Sequence, residues 1–449
     1  MFFYIICFIL FFWGLRDYKN AFMGYLVFRL VLVQNITLIS IPGIPLLTIE
    51  VFLSLFFVGL YFLRREQIEK DNSPFPFKIP FIFLFVSWTI STIFAYAGVG
   101  SAMSQYLRDV CQNIILVYIM WRLFQNKDDF YVLLIAFSMV MFVSCIYGLL
   151  EGKMESNPLA DYELSFNSDD ERAIEYDYSE EMDRGYRIKS IFEHAIGAGI
   201  MWAITIIMLV FYKIRGMLQI NTWIGAVILI VLCLLCILLT KSRGPILFLM
   251  IASVGFIDFK SRQSFYYLIG GCFVVAIGWD FFSQYANTIL SIFSSKAQDE
   301  VGGSNAEMRF EQLAVAYMLM DMSPIWGLGF KYLNVMDESL TEDLLGSESM
   351  WFTILPQFGL IGIAANLVLA YYMIIKIPLT YHYSKPLFFF ALAYWITASL
   401  TSVPGMKMYY FYFVYFLMMK HTKWDDEVEQ IEDVAETDCL MVVNSESDE

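Results

Sequence analysis

The chain has 449 residues, 59% of them hydrophobic and 16% charged, with a formal net charge of −15 and a mean hydropathy of +0.60. Apolar residues in such long unbroken runs exclude an ordinary soluble domain, because they exceed what one core can bury. The charge is local: residues 151–190 hold twelve acids against five bases and residues 420–449 hold eleven against two, so the remainder is close to neutral and offers no basic surface for nucleic acid.

Met1 to Gly14 is apolar but lacks the basic start and small-residue cleavage site of a signal peptide, so it is expected to be a retained first span. Further runs approach the roughly twenty residues needed to cross a bilayer. They lie near 22–42, 46–63, 79–97, 106–123, 130–150, 194–212, 222–240, 244–258, 265–283, 351–375, 386–403 and 406–419. The expected fold is therefore all-α, a polytopic integral membrane protein of about twelve or thirteen transmembrane helices. Taking alternate connections as cytoplasmic collects sixteen of the 29 basic residues in short loops on one side, as the positive-inside rule requires.

This order divides the chain into amino-terminal transmembrane helices (1–150), an acidic outer loop (151–193), central transmembrane helices (194–283), a large outer loop (284–350), carboxyl-terminal transmembrane helices (351–419) and an acidic, disordered cytoplasmic tail (420–449). Arg29 falls inside a span, where a cation needs a partner, and Glu50 is the nearest candidate. Glu50, Arg108, Asp109 and Asp280 fall near span ends. Cys233 and Cys236 form a CxxC inside a uniform apolar run with no second ligand pair, so they read as packing residues.

Two outer features stand out. The turn in "ILLTKSRGPILFL" (237–249) puts Lys241 and Arg243 on the side that should be poor in cations, either snorkelling to the interface or holding an anion such as a lipid phosphate. In the long loop, "SNAEMRFEQLAVAYMLMDMSP" reads as a helix with Ser304 and Glu307 at capping-box spacing and a Ser323-Pro324 stop. Arg309 lies in its first turn, the wrong end of the dipole for a cation, so its placement calls for another partner. "GSESMWFTILPQFGLIG" then leads into the next span with Glu348 at the membrane boundary.

These stretches resemble the O-antigen ligase and polymerase superfamily of bacterial envelope glycosyltransferases. The resemblance rests on Ser242-Arg243-Gly244 opening a span, Arg309 in an outer loop, the turn "PIWGLGF" (324–330), and "ESMWFTILPQFGLIG" (348–362) with its Gly-x-x-Gly. "YRIKSIFEHAIGAGIMWA" (186–203) also resembles the family's stretch in which a polar pair begins a span. Many ligases of the family carry His-Asn before the Gly-bearing span, where this chain has Glu348-Ser349.

The resemblance implies a GT-C-like enzyme of the bacterial cytoplasmic membrane, its active site facing the periplasm, whose donor is a glycan on undecaprenyl diphosphate. Arg243 and Arg309 would bind the diphosphate, followed by Lys241, Arg187 and Lys189, because guanidinium groups match phosphate oxygens bidentately. Deprotonating the acceptor hydroxyl calls for a carboxylate or imidazole, Glu348 first and His194 second. His194 has an equal reading as an interfacial packing residue. Tyr186, Trp326, Tyr332 and Trp351 are candidates to stack on sugar rings, the competing reading being interfacial anchors.

No Asp-x-Asp lies in the first outer turn "SIPGIP", so no metal or cofactor is expected and the displacement would be metal-independent and inverting. The missing His-Asn favours a polymerase joining lipid-linked repeat units over a ligase acting on lipid A core. Partners would be the lipid-linked oligosaccharide, the bilayer, and a chain-length regulator or other assembly proteins. Two readings from other classes compete. A flippase for lipid-linked sugars should show internal repeats or interrupted spans, and no clear repeat is seen; a structural scaffold would leave the order of outer motifs without a reason.

Overall fold

The computed structural model describes residues 2–32, 36–39, 47–68, 73–164, 186–216, 220–257, 306–336, 347–381, 384–403 and 405–421. The expected span at 265–283, Asp280, Ser304, His382 and residues 422–449 of the tail lie outside them. What is described is almost entirely helical. In chain order come α1 (Phe2–Arg16), α2 (Tyr18–Val31), strands β1 (Thr37–Ile39) and β2 (Leu47–Thr48), α3 (Ile49–Leu63), α4 (Arg65–Ile68), α5 (Lys78–Ile93) and α6 (Val99–Asp109). A π-turn (Val110–Ile115) joins α6 to α7 (Leu116–Leu123), and α8 (Lys127–Met154) and α9 (Pro158–Leu164) follow. The second half contains α10 (Ala195–Ile214), α11 (Ile220–Leu239), α12 (Arg243–Val254), α13 (Ala306–Asp321), α14 (Met350–Tyr371), α15 (Lys385–Thr401) and α16 (408–421).

Four described helical runs are long and apolar enough to cross a membrane alone: Lys127–Met154, Ala195–Ile214, Thr222–Leu239 and Met350–Thr380. With the shorter apolar helices around them they bear out the all-α, polytopic membrane reading. The run expected at 22–42 is corrected. Asp17 caps α2 by accepting from Asn20 N at 3.3 Å, and the helix stops at Leu32. Beyond it β1 and β2 pair antiparallel, with Thr37 opposite Thr48 and Ile49 N donating to Ile36 O at 3.0 Å.

α10 and α16 are apolar all round, the signature of helices enclosed by others, and they form the middle of the bundle. Tyr409 to Met419 are all buried. α16 is held from every side: Tyr409 OH donates to Leu26 O at 2.9 Å, Tyr410 OH meets Thr205 Oγ1 at 2.9 Å, and Tyr415 OH donates to Met373 O at 2.7 Å. The Phe411 ring stacks on Phe390 at 4.6 Å. Lys420 is buried, and its Nζ donates to Gln125 Oε1 at 2.7 Å and to the carbonyl of Trp121 at 3.2 Å, so Lys420 and His421 belong to this helix.

The two ends of α8 show how polar residues are sorted. A capping box of Asn126 and Asp129 starts the helix, and Asp129 also pairs with Lys19 at 2.7 Å. At 28 residues α8 is about 42 Å long. Its other end brings Glu151 to a different set of partners, taken up below. Arg16, Lys19, Arg64, Arg122 and Lys420 therefore share one face of the bundle, and the turn at Lys241 lies toward the opposite face.

Arg29 does meet Glu50: Nε to Oε1 is 2.8 Å, with the two side chains 5% and 1% exposed. Its Nη2 donates to Gln112 Oε1 at 2.8 Å, from the π-turn, and its guanidinium lies 4.7 Å from the Tyr409 ring. Replacing Arg29 by Met strands a buried carboxylate, so a loss of about 3–5 kcal/mol is expected. Pairing it with Glu50→Leu should recover most of that. Thermal unfolding of the purified single and double variants measures it; equal losses in both would show that the charges are not coupled.

Candidate functional site

The turn between α11 and α12 is built by three devices. Thr240 closes α11 with Oγ1 donating to Ile237 O at 2.7 Å, Lys241 takes a left-handed φ of 48°, and Ser242 is the N-cap residue of α12. Lys241 is exposed, whereas Arg243 is only 9% exposed. Gly244 permits close approach to α15: a Cβ there would lie 2.5 Å from Thr401 Oγ1. Gly199 of α10 receives Pro245 in the same way, with a would-be contact of 2.3 Å.

Residues 186–190 clamp this turn. Arg187, 6% exposed, donates from Nε to Thr240 O at 3.1 Å and from Nη2 to Ser242 Oγ at 2.7 Å. The clamp is anchored by Glu151, fully buried, whose carboxylate accepts from Ser190 N (2.6 Å), Lys189 N (3.1 Å), Asn157 Nδ2 (3.0 Å) and Tyr186 OH (3.1 Å). Arg187 thus holds the cationic turn in place, and the Tyr186 hydroxyl serves the same anchor. Losing Arg187 removes two hydrogen bonds from a charged donor, each worth about 1.5–3 kcal/mol. Arg187→Ala should lower the unfolding midpoint measurably and Arg187→Lys by less; identical midpoints would dismiss the clamp.

A second cluster forms where the outer-loop helix α13 meets the start of α14. Arg309 Nη2 lies 2.6 Å from Glu348 Oε2, with side chains 17% and 20% exposed. This is the partner that a cation at a helix amino terminus requires. Gln312, one turn on and 1% exposed, accepts from Glu348 N at 3.2 Å. Arg309 Nε and Gln312 Nε2 are buried with no hydrogen-bond partner among the described residues. Buried unsatisfied donors are rare and costly, and here they sit together beside a carboxylate.

Ser349 caps α14 by accepting from Trp351 N at 3.3 Å, and the Trp351 indole N–H donates to Ser399 Oγ at 2.8 Å while its ring stacks on Trp395 at 6.2 Å. The last turns of α15 therefore touch both clusters, Ser399 reaching Trp351 and Thr401 reaching Gly244. Beyond α15, Gly405 packs against Glu193 and His194, and Lys407 pairs with Glu193 at 2.7 Å. His194 is the N-cap residue of α10, where its Nδ1 accepts from Ile196 N at 3.1 Å. That lone pair is committed to the helix terminus.

The turn "PIWGLGF" and the break in α14 lock together. α14 is interrupted at Gly359 (φ 59°, ψ −156°), and the freed backbone groups are satisfied by the turn. Leu328 N donates to Pro356 O (2.8 Å), Gly329 N to Gln357 O (2.9 Å), Leu360 N to Pro324 O (2.9 Å) and Ile361 N to Ile325 O (3.1 Å). Non-helical backbone at membrane depth is tolerated only with such internal partners. Ser91 Oγ donates to Trp326 O at 2.5 Å, and the Trp326 ring stacks on Phe94 at 4.5 Å, fastening the turn to α5. Tyr332 is buried beneath it.

The structure thus joins Arg309 with Glu348, and Arg187 with the turn of Lys241 and Arg243, and brings Trp351 and His194 to the two flanks of the segment 399–407. It spends the rings of Trp326 and Trp351 on protein partners. Glu151, Asn157 and Ser399 escaped sequence reading, whereas Gln312, three residues after Arg309 on a neighbouring face, is legible there.

Fold and site together define a polytopic membrane protein with cationic and carboxylate groups gathered at one end of its helices. Residues 228–367, under a third of the chain, match the family model described as O-antigen ligase. The matched segment contains Lys241, Arg243, Arg309, Trp326, Glu348 and Trp351 and leaves out Tyr186, Arg187, Lys189 and His194. No curated protein matches the chain.

Proposed function

We propose that the protein is a polysaccharide polymerase that transfers a growing glycan from undecaprenyl diphosphate to the acceptor sugar of another lipid-linked repeat unit, on the periplasmic side of the cytoplasmic membrane. The observation that carries this reading is the Arg309–Glu348 pair, 2.6 Å apart, with the unsatisfied donors of Arg309 and Gln312 beside it. N–H donors without acceptors suit an incoming phosphate or sugar oxygen.

In this reading the donor diphosphate draws Arg309 from Glu348, which frees the carboxylate. The acceptor hydroxyl oxygen attacks the anomeric carbon from the face opposite the diphosphate and gives its proton to Glu348. The bond from the anomeric carbon to the phosphate oxygen breaks with inversion, and Arg309 and Arg243 stabilise the charge that develops on the leaving diphosphate. Lys241 and Lys189 add to the field at the mouth, and Arg187 positions the turn.

A ligase reading, with lipid A core as acceptor, is favoured by the description of the matched family model. The two are separated by glycan display in cells lacking the gene. Single repeat units still attached at the surface support a polymerase, and full-length polymer accumulating on the carrier lipid supports a ligase. Repeat units retained inside the cell point to a flippase and sink both. The metal-independent mechanism has its own test: the purified enzyme, given undecaprenyl-diphosphate-linked repeat units, should keep its rate in EDTA, and a loss restored by added divalent cation would overturn it.

A further inference from the structure

On the face opposite the candidate site, a groove with a cavity volume of about 540 Å³ opens between α3, α5 and the helical run Val110–Leu123. That is within the roughly 300–1,000 Å³ of small-molecule sites. Its two ends differ in chemistry. Arg65, Lys78 and Arg122, from three separate elements, line one end. Phe81, Phe85, Ile114 and Ile115 line the wall that runs away from them along α5 and the π-turn. Among the described residues that line the groove there is no carboxylate.

The cations are placed by the fold. Lys78 is the first residue of α5 and is exposed, and Arg65 follows the end of α3. Arg122, in the last turn of α7, is steered by Nε donating to Tyr118 OH at 3.1 Å and Nη1 donating to Ser73 O at 2.8 Å. The face is the one that also carries Lys19, Lys420 and Arg64. The apolar wall continues into residues that a soluble protein would cover: Phe62, Ile82 and Phe85 are 56%, 51% and 43% exposed. In a bilayer those side chains meet lipid, so the groove opens sideways into the membrane with its basic end at the level of the headgroups.

We propose that this groove is a binding site for an anionic phospholipid of the surrounding bilayer, with the headgroup phosphate among Arg65, Lys78 and Arg122 and an acyl chain along Phe81, Phe85 and Ile114. Charge decides the class of occupant. A zwitterionic lipid carries a choline or ammonium group into three cations, whereas a net negative headgroup is attracted by each of them. Length decides its mode: the wall follows a helix into the hydrocarbon, which a free phosphate would leave uncovered. The site is independent of the catalytic reading, because no residue of the candidate site lines it. It does adjoin the buried network of Arg29, since the π-turn that supplies Ile114 and Ile115 to the groove also supplies Gln112 to Arg29.

The test is lipid retention by the full-length protein. The chain is reconstituted into nanodiscs of equal parts phosphatidylglycerol and phosphatidylcholine, released into mild detergent, and its bound lipids are counted by native mass spectrometry. Wild type should retain phosphatidylglycerol over phosphatidylcholine, and Lys78→Gln should lower that retention about fivefold, the effect of one surface cation. Arg65→Gln and Lys78→Gln combined should abolish the preference. Lys376→Gln, outside the groove, is the control and should behave as wild type. Lys78 is exposed and lies at a helix end, so its variant tests the idea even if the double variant folds poorly.

Equal retention of the two lipids by wild type, or undiminished phosphatidylglycerol in Lys78→Gln, would overturn the proposal. So would displacement of phosphatidylglycerol by equimolar undecaprenyl phosphate, which would give the groove to an isoprenoid carrier instead.

Discussion

Glu348→Gln is expected to lower glycan transfer by about 10²–10⁴-fold, the usual contribution of a positioned general base, while leaving the protein folded in the membrane. Gln keeps the size of Glu and an oxygen that can accept from Arg309 at the 2.6 Å position, but it cannot take a proton. Arg309→Ala should be nearly as damaging, for a different reason: it removes the guanidinium proposed to meet the diphosphate and leaves Glu348 without its partner. Arg309→Lys separates these effects. A lysine keeps the charge but not the planar fork, so transfer should stay well below wild type if diphosphate is bound bidentately and recover if only charge matters. The readout is the glycan ladder from cells with equal membrane expression, backed by turnover of purified protein on lipid-linked repeat units. A normal ladder in Glu348→Gln would remove Glu348 from the chemistry.

The second large effect concerns backbone. At Gly359 a φ of 59° with ψ −156° lies in a region that residues with a side chain avoid, at a cost of about 1–3 kcal/mol. A Cβ there would also meet Gly327 N and Ile325 O at 2.7 Å. At Gly327, where φ is 72°, it would meet the carbonyl carbon and oxygen of Gln357 and the nitrogen of Phe358, all at 2.5 Å. These neighbours are main chain and cannot swing aside. Gly327→Ala or Gly359→Ala should therefore pull the turn off the broken helix, losing the backbone hydrogen bonds that join 324–329 to 356–361. We expect poor membrane yield and rapid proteolysis within 324–330 in either variant. Wild-type protease resistance in both would mean that the interlock is not a stability element.

Much of this architecture is legible in the order of apolar runs, because hydrocarbon length and backbone satisfaction leave a chain this apolar few choices. Charges in awkward places were equally informative: Arg29 inside a span and Arg309 at the wrong end of a helix each implied a partner, and Glu50 and Glu348 are those partners. The strand pair of 37–39 with 47–48 was hidden, since an apolar run long enough for either state has no period to separate them. The sequence motifs marked "PIWGLGF" and Gly359 separately, but nothing in the chain said that one turn fills the break made by the other. Glu151 was unreadable for a similar reason. In an acidic stretch it looks like one more solvated carboxylate, and only folding brings the amides of Lys189 and Ser190 to it.

The enclosure of α16 has a consequence for how the protein is made. Its contacts reach back to Leu26, Trp121, Thr205 and Met373, so helices inserted early wait for residues 408–421 before their inward faces are covered. Until then Arg29 lacks the ring of Tyr409, and the carbonyls of Trp121 and Phe124 lack the ammonium of Lys420. The packing of the early helices is thus completed only by the last described one.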